Sequence, residues 1–191
     1  MLKIQEKERK EVSMKTVINL FHPHFDQSRV NKALIRGLDS SITVRNLYDH
    51  YPDFKIDVDG EQRVLTNYDR VILQFPMLWY STPALLKQWE DDVLTYGWAY
   101  GSNGNALHGK ELLVAVTVGA DNYGRSGSAR YTVNELLRPL QATSRLIGMK
   151  YCQPFKVMGA SSITDDRLAK ASQDYHDYAL QDDLPILGDF E

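Results

Sequence analysis

Cys152 is the chain's one cysteine, which excludes an internal disulfide and makes the residue an apolar filler beside Pro154 rather than a nucleophile. No apolar run approaches the ~20 residues a membrane helix needs, and no basic and apolar leader opens the chain. The formal net charge of -3 gives no general pull toward nucleic acid or anionic lipid. The turn after the first apolar run lacks both the Gly-rich dinucleotide fingerprint and the Walker lysine pattern, so neither glycine-based phosphate cradle is present. Asp49, Asp53, Asp57 and Asp59 lack the ordered spacing of a calcium loop and have no partnering His cluster; they read as a solvated loop with no metal. There are no internal repeats. The expectation is a cytoplasmic protein with no nucleic-acid partner.

What is present is organised around Val71 to Trp89, VILQFPMLWYSTPALLKQW. The first five residues are apolar and partly β-branched, as a strand buried on both faces requires, and Pro76 ends it because proline cannot donate to a sheet ladder. Thr82 and Pro83 offer an N-cap and a first helical residue, and Leu85, Leu86, Trp89 and Val93 follow at helical spacing. The loop between carries Met77, Leu78, Trp79 and Tyr80 at the carboxyl end of a strand, where open α/β sheets place ligands. A flat aromatic guest suits it.

The 191 residues suffice for one domain that buries roughly 70% of its unfolded surface. Residues 1–13 are mostly Lys, Glu, Arg and Gln and are expected to form a disordered or solvated arm; the domain spans 14–191. Lys15 to Phe21 reads as a buried strand and Ser28 to Leu38 as a helix with Ser28 as N-cap. Phosphate can bind at that helix start through backbone N–H groups, with His22, Ser28 and Asn31 as side-chain donors; equally, Ser28 and His22 serve only as caps. Ser41 to Leu47 alternates like a strand, and Tyr48 to Gly60 reads as an acidic loop.

After the central unit, the loop Thr95 to Gly109 holds Tyr96, Trp98 and Tyr100, as core plugs or as the lining of a pocket or subunit contact. Lys110 to Val118 is a further strand, and the small residues of TVGADNY at its end let backbone N–H groups approach a ligand. Tyr131 to Met149 reads as a helix broken near Pro139. Tyr151 to Gly159 supplies the last strand and Thr164 to Leu180 a terminal helix, with His176 and its neighbouring tyrosines on the surface. The tail Gln181 to Glu191 is expected to pack loosely. Five strands alternating with helices argue a three-layer α/β sandwich with a parallel sheet; two common strand orders stay open, of which the five-strand order 2-1-3-4-5 puts the ligand crevice between strands one and three.

The stretches FPMLWYSTPALLKQW, GWAYG, TVGADNY and NELLRPLQATSRLIGMKYCQPFKVMGA together resemble the flavodoxin-like NAD(P)H:quinone oxidoreductase family, which includes ancillary subunits of glutathione-gated potassium-efflux systems. The resemblance spans about Met14 to Leu180. It implies an FMN or FAD cofactor, NADPH or NADH as donor, two-electron hydride transfer to a quinone or similar acceptor, and a homodimer with its active sites at the interface. Docking on a potassium-efflux membrane protein, at the inner face of the membrane, is the alternative role it implies.

Residue by residue, the resemblance assigns the phosphate loop to His22, Ser28, Val30 and Asn31, and the isoalloxazine loop to Pro76, Met77, Leu78, Trp79 and Tyr80. The third loop becomes Thr117, Val118, Gly119 and Ala120, with Tyr123 as both a cofactor contact and the catalytic residue. Trp98 and Tyr100 fall where the family closes the substrate pocket from the partner subunit. Two departures matter. Val118 and Ala120 replace a hydroxyl-bearing residue and a glycine, so flavin contacts there rest on backbone N–H groups. Ala129 stands where the animal enzymes carry His, so no Tyr–His relay is available.

Overall fold

The computed structural model describes residues 14–188; the charged arm lies outside them. Strand β1 (Thr16–Leu20) is buried along its length and forms the sheet's interior, with β2 (Ile42–Asn46) on one side and β3 (Arg70–Pro76) on the other. Strand β4 (Glu111–Thr117) follows β3, and the far edge is made by β5 (Lys150–Tyr151) and β6 (Phe155–Val157), all parallel. The order is therefore 2-1-3-4-5, with the fifth strand broken in two.

That break has a local cause. The register steps from Leu112↔Tyr151 to Ala115↔Phe155, so Cys152, Gln153 and Pro154 stand opposite two residues of β4. Pro154 has no N–H for the ladder, and one extra residue is accommodated as a bulge. The tail pairs with this segment instead: Gln153 N donates to Pro185 O at 2.7 Å and Leu187 N to Tyr151 O at 2.9 Å. Leu184 is buried, so the segment expected to pack loosely closes the sheet edge. Cys152 is fully buried, and burial pushes its thiol up to about 12.

Side chains alternate across the strands and build two cores. One face packs Val71, Leu73, Phe75, Val114 and Val116 beneath helices α3 (Val58–Asn67), α4 (Ala84–Val93), α5 (Val133–Leu136) and α6 (Arg138–Leu146). The other packs Ile18, Ile72, Leu113 and Ala115 against α1 (Arg29–Ile35) and α7 (Asp165–Leu180). Among the described residues, no helix is long and apolar enough to cross a membrane.

Three expectations change and a fourth holds. The acidic loop contains a short α2 (Leu47–His50) and the start of α3, which Asp57 caps by accepting from Gly60 N at 3.0 Å. Thr82 does not cap α4; its cap position is Pro83, with no side-chain bond. The break expected near Pro139 is present: α5 and α6 part at Leu137, where the missing proline N–H leaves the ladder open. Tyr175 is fully buried and His176 sits 2.9 Å from Leu34 O, so neither lies free on the surface of α7.

Candidate functional site

The three loops singled out in the sequence meet at the carboxyl ends of β1, β3 and β4. In the first, Ser28 Oγ caps α1 by accepting from Asn31 N at 3.1 Å. Val30 is buried in the α1 core, so it lends the site backbone only. His22 accepts at Nδ1 from His24 N at 3.1 Å, which places its ring proton on Nε2. Desolvation, with help from His24, lowers its pKa. His22 is thus a neutral donor.

The second loop is a two-residue hairpin. Leu78 N and O pair with Ser81 O and N at 3.0 Å, and the two central residues, Trp79 and Tyr80, both have positive φ, 49° and 64°. This is type I′ turn geometry, which favours Asn-Gly. Two aromatics held there are strained by roughly 1–2 kcal/mol each. Among the described residues nothing rewards the strain by burial, since Trp79 is 94% exposed and Tyr80 53%. Met77 is half-buried, and its N–H donates to Thr117 O at 2.9 Å, locking this loop to the third.

In the third loop Thr117 is the last residue of β4 and is buried, as is Val118, whose N–H is taken by Val157 O at 2.9 Å. The carbonyls of Gly119 and Ala120 accept from Ser161 N at 3.1 Å and Gly159 N at 3.0 Å. Their own N–H groups find no acceptor among the described residues, and both residues are exposed. The loop is braced through its carbonyls and leaves two backbone donors unused. Tyr123 is half-buried, and its phenol is pushed up by desolvation and then by Tyr80, so it keeps its proton at neutral pH.

An open cleft of about 410 Å³ joins these loops, lined by His22, Ser28, Val30, Asn31, Pro76, Met77, Leu78, Thr117 and Gly119. It also takes in Gln27, Arg29, Ala160 and Ser161, which the sequence reading did not single out. The run of small residues GASS after the last strand is the signal that marks the last two. The lining combines hydroxyl, imidazole and backbone donors with apolar Met77 and Leu78, a set that fits a flat ring carrying an anionic tail.

Trp98 and Tyr100 lie elsewhere. Trp98 packs partly into the core and borders a shallow hollow with Gln62 and Arg63. Tyr100 lines a groove of about 500 Å³ between α4 and α6 that reaches Ser81 and Thr82, and it meets the exposed Tyr96 edge to face at 5.7 Å. Neither ring enters the cleft of its own chain.

The family model described as flavodoxin-like fold matches residues 14–179. The chain is 44% identical over 157 residues to the glutathione-regulated potassium-efflux system ancillary protein KefF of Salmonella schwarzengrund, covering 81% of this chain and 89% of that one. Among solved structures, general stress protein 14 of Treponema denticola in complex with FMN superposes with a TM-score of 0.80 at 39% identity, covering 87% of this chain and 99% of that one. An NADPH-quinone reductase of P. pentosaceus gives a TM-score of 0.77 at 34% identity, covering 87% and 98%. The chain belongs to the flavodoxin-like fold family.

Proposed function

We propose that this chain is a flavin-dependent NAD(P)H oxidoreductase that binds FMN in the three-loop cleft and passes two electrons to a quinone-like acceptor. The observation that carries the reading is the third loop, where the exposed Gly119 and Ala120 leave their N–H groups without an acceptor among the described residues while their carbonyls are tied back to Ser161 and Gly159. The FMN complex of the Treponema protein and the quinone reductase from P. pentosaceus support it.

Each residue has a physical task. His22 Nε2–H and the Ser28 hydroxyl would hold the phosphate. Met77 and Leu78 would cover one side of the ring and exclude water. A bound flavin supplies reversible two-electron chemistry, and the protein supplies position and charge stabilisation. The Gly119 and Ala120 donors would meet negative charge at the ring edge, a type of contact worth roughly 3 kcal/mol when preorganised. Tyr123, protonated, would donate from the open side.

Trp79 and Tyr100, outside the cleft of their own chain, suit a homodimer in which a second subunit covers the exposed turn; Trp98 is assigned the same setting. The relationship to KefF favours a second role, docking at the inner face of a potassium-efflux membrane protein. Steady-state oxidation of NADPH by a soluble benzoquinone, with and without FMN, tests the enzymatic reading. Dependence on FMN supports it, and no oxidation in its presence moves the weight to docking alone.

A further inference from the structure

Gln74 interrupts the apolar run 71–76 of β3, and its side chain lies on the α1/α7 side of the sheet, fully buried. Its Nε2 is 3.4 Å from the backbone carbonyl of Asn31 and 3.2 Å from Asn31 Oδ1. A backbone carbonyl only accepts, so the atom facing it must be the amide nitrogen. At the far end Tyr175 Oη donates to Gln74 Oε1 at 2.9 Å, and burial keeps this phenol protonated.

The polarity then propagates. Asn31 Oδ1 faces a donor, so its Nδ2 must be the group that meets Thr117 Oγ1 at 3.1 Å and Ser28 Oγ at 3.3 Å. Ser28 Oγ also accepts from Asn31 N at 3.1 Å. Both hydroxyls are accepting from Asn31, and their own protons are left to point elsewhere. Both line the cleft.

We infer that Gln74 is a positioning residue that holds the Asn31 amide in one orientation and thereby sets Ser28 and Thr117 as hydrogen-bond donors to a phosphate-bearing ligand. The inference rests on the flavin reading. It explains a buried Gln–Asn pair, 2% exposed or less, where an apolar pair would pack without needing partners.

The test compares the affinities of FMN and riboflavin, which differ in the phosphate, for the full chain and its variants. Gln74→Met frees the Asn31 amide, and FMN affinity falls by about tenfold or more, the scale of a lost bond to a charged group, while riboflavin affinity changes less than about twofold. Tyr175→Phe is the control for stability: it lowers the melting temperature but leaves Gln74 anchored on the Asn31 carbonyl, so the FMN-to-riboflavin ratio holds. In a Ser28→Ala background Gln74→Met lowers the ratio further by much less than it does alone, because the two act in series. If Gln74→Met does not fold, Asn31→Asp, which replaces the donor with an acceptor, is measured in the same way and loses the preference for FMN. Equal losses for both flavins, or full additivity with Ser28→Ala, overturn the inference while leaving flavin binding intact. A wild-type chain that binds neither flavin overturns the flavin reading and this inference with it.

Discussion

The rings of Tyr80 and Tyr123 meet edge to face, 6.2 Å between centroids and 64° between planes. The contact joins the strained turn after β3 to the loop after β4, the two loops whose Met77, Leu78, Thr117 and Gly119 line the cleft. Desolvation and Tyr80 raise its pKa, which makes it a donor throughout the neutral range. Tyr123→Phe keeps the ring contact and removes the proton. Turnover with a quinone is expected to fall by roughly 10²-fold, the low end for general acid catalysis, while the flavin absorbance of the purified variant stays unchanged. Unchanged turnover removes Tyr123 from the mechanism.

Trp79 combines positive φ with near-complete exposure. Glycine relieves the left-handed strain at that position, and in an isolated chain the exposed ring gives up no packing. Trp79→Gly is therefore expected to raise stability by about 0.5–1 kcal/mol in urea melts of dilute protein. A loss of stability that grows with protein concentration shows instead that a second subunit buries the ring, as the homodimer requires.

Glu90 lies half-buried on α4, facing the groove shared by Leu94, Tyr100, Leu140 and Ile147, with Lys87 and Asp91 as its charged neighbours. Desolvation raises its pKa to about 7, Lys87 opposing and Asp91 adding. The folded state therefore holds a proton that the unfolded chain releases near the ordinary carboxyl range, so this contribution to stability is full at low pH and is lost as pH rises through about 7. Glu90→Gln is expected to gain about 1–2 kcal/mol relative to wild type between pH 5.5 and pH 8 in urea melts. A difference that does not move with pH contradicts the assignment.

The strands and the loops of the cleft were legible in the sequence because buried parallel strands are continuous apolar runs, Pro76 and Gly119 mark strand ends and Ser28 marks a helix start; the apolar runs alone left two sheet orders open, of which the structure has 2-1-3-4-5. Helix α3 was not. Its sequence VDGEQRVLTN is polar, and its place depends on Glu61, fully buried and bonded by Arg45 at 2.5 and 2.8 Å, Tyr51 at 2.5 Å and Trp89 at 3.0 Å. Burial alone would raise that carboxyl's pKa, but these partners hold it below its usual value. Such long-range pairing leaves no periodic trace. The roles of Gln74 and Tyr175 were equally hidden, since a lone Gln in a strand and a Tyr on an amphipathic helix acquire meaning only where β3 and α7 meet.

The measurement that tests the account most directly is the absorption spectrum of the purified chain with FMN, followed anaerobically through addition of NADPH and then of a benzoquinone. The account predicts a protein-bound flavin spectrum that bleaches with NADPH and returns with the quinone. A chain that binds no flavin under these conditions contradicts it.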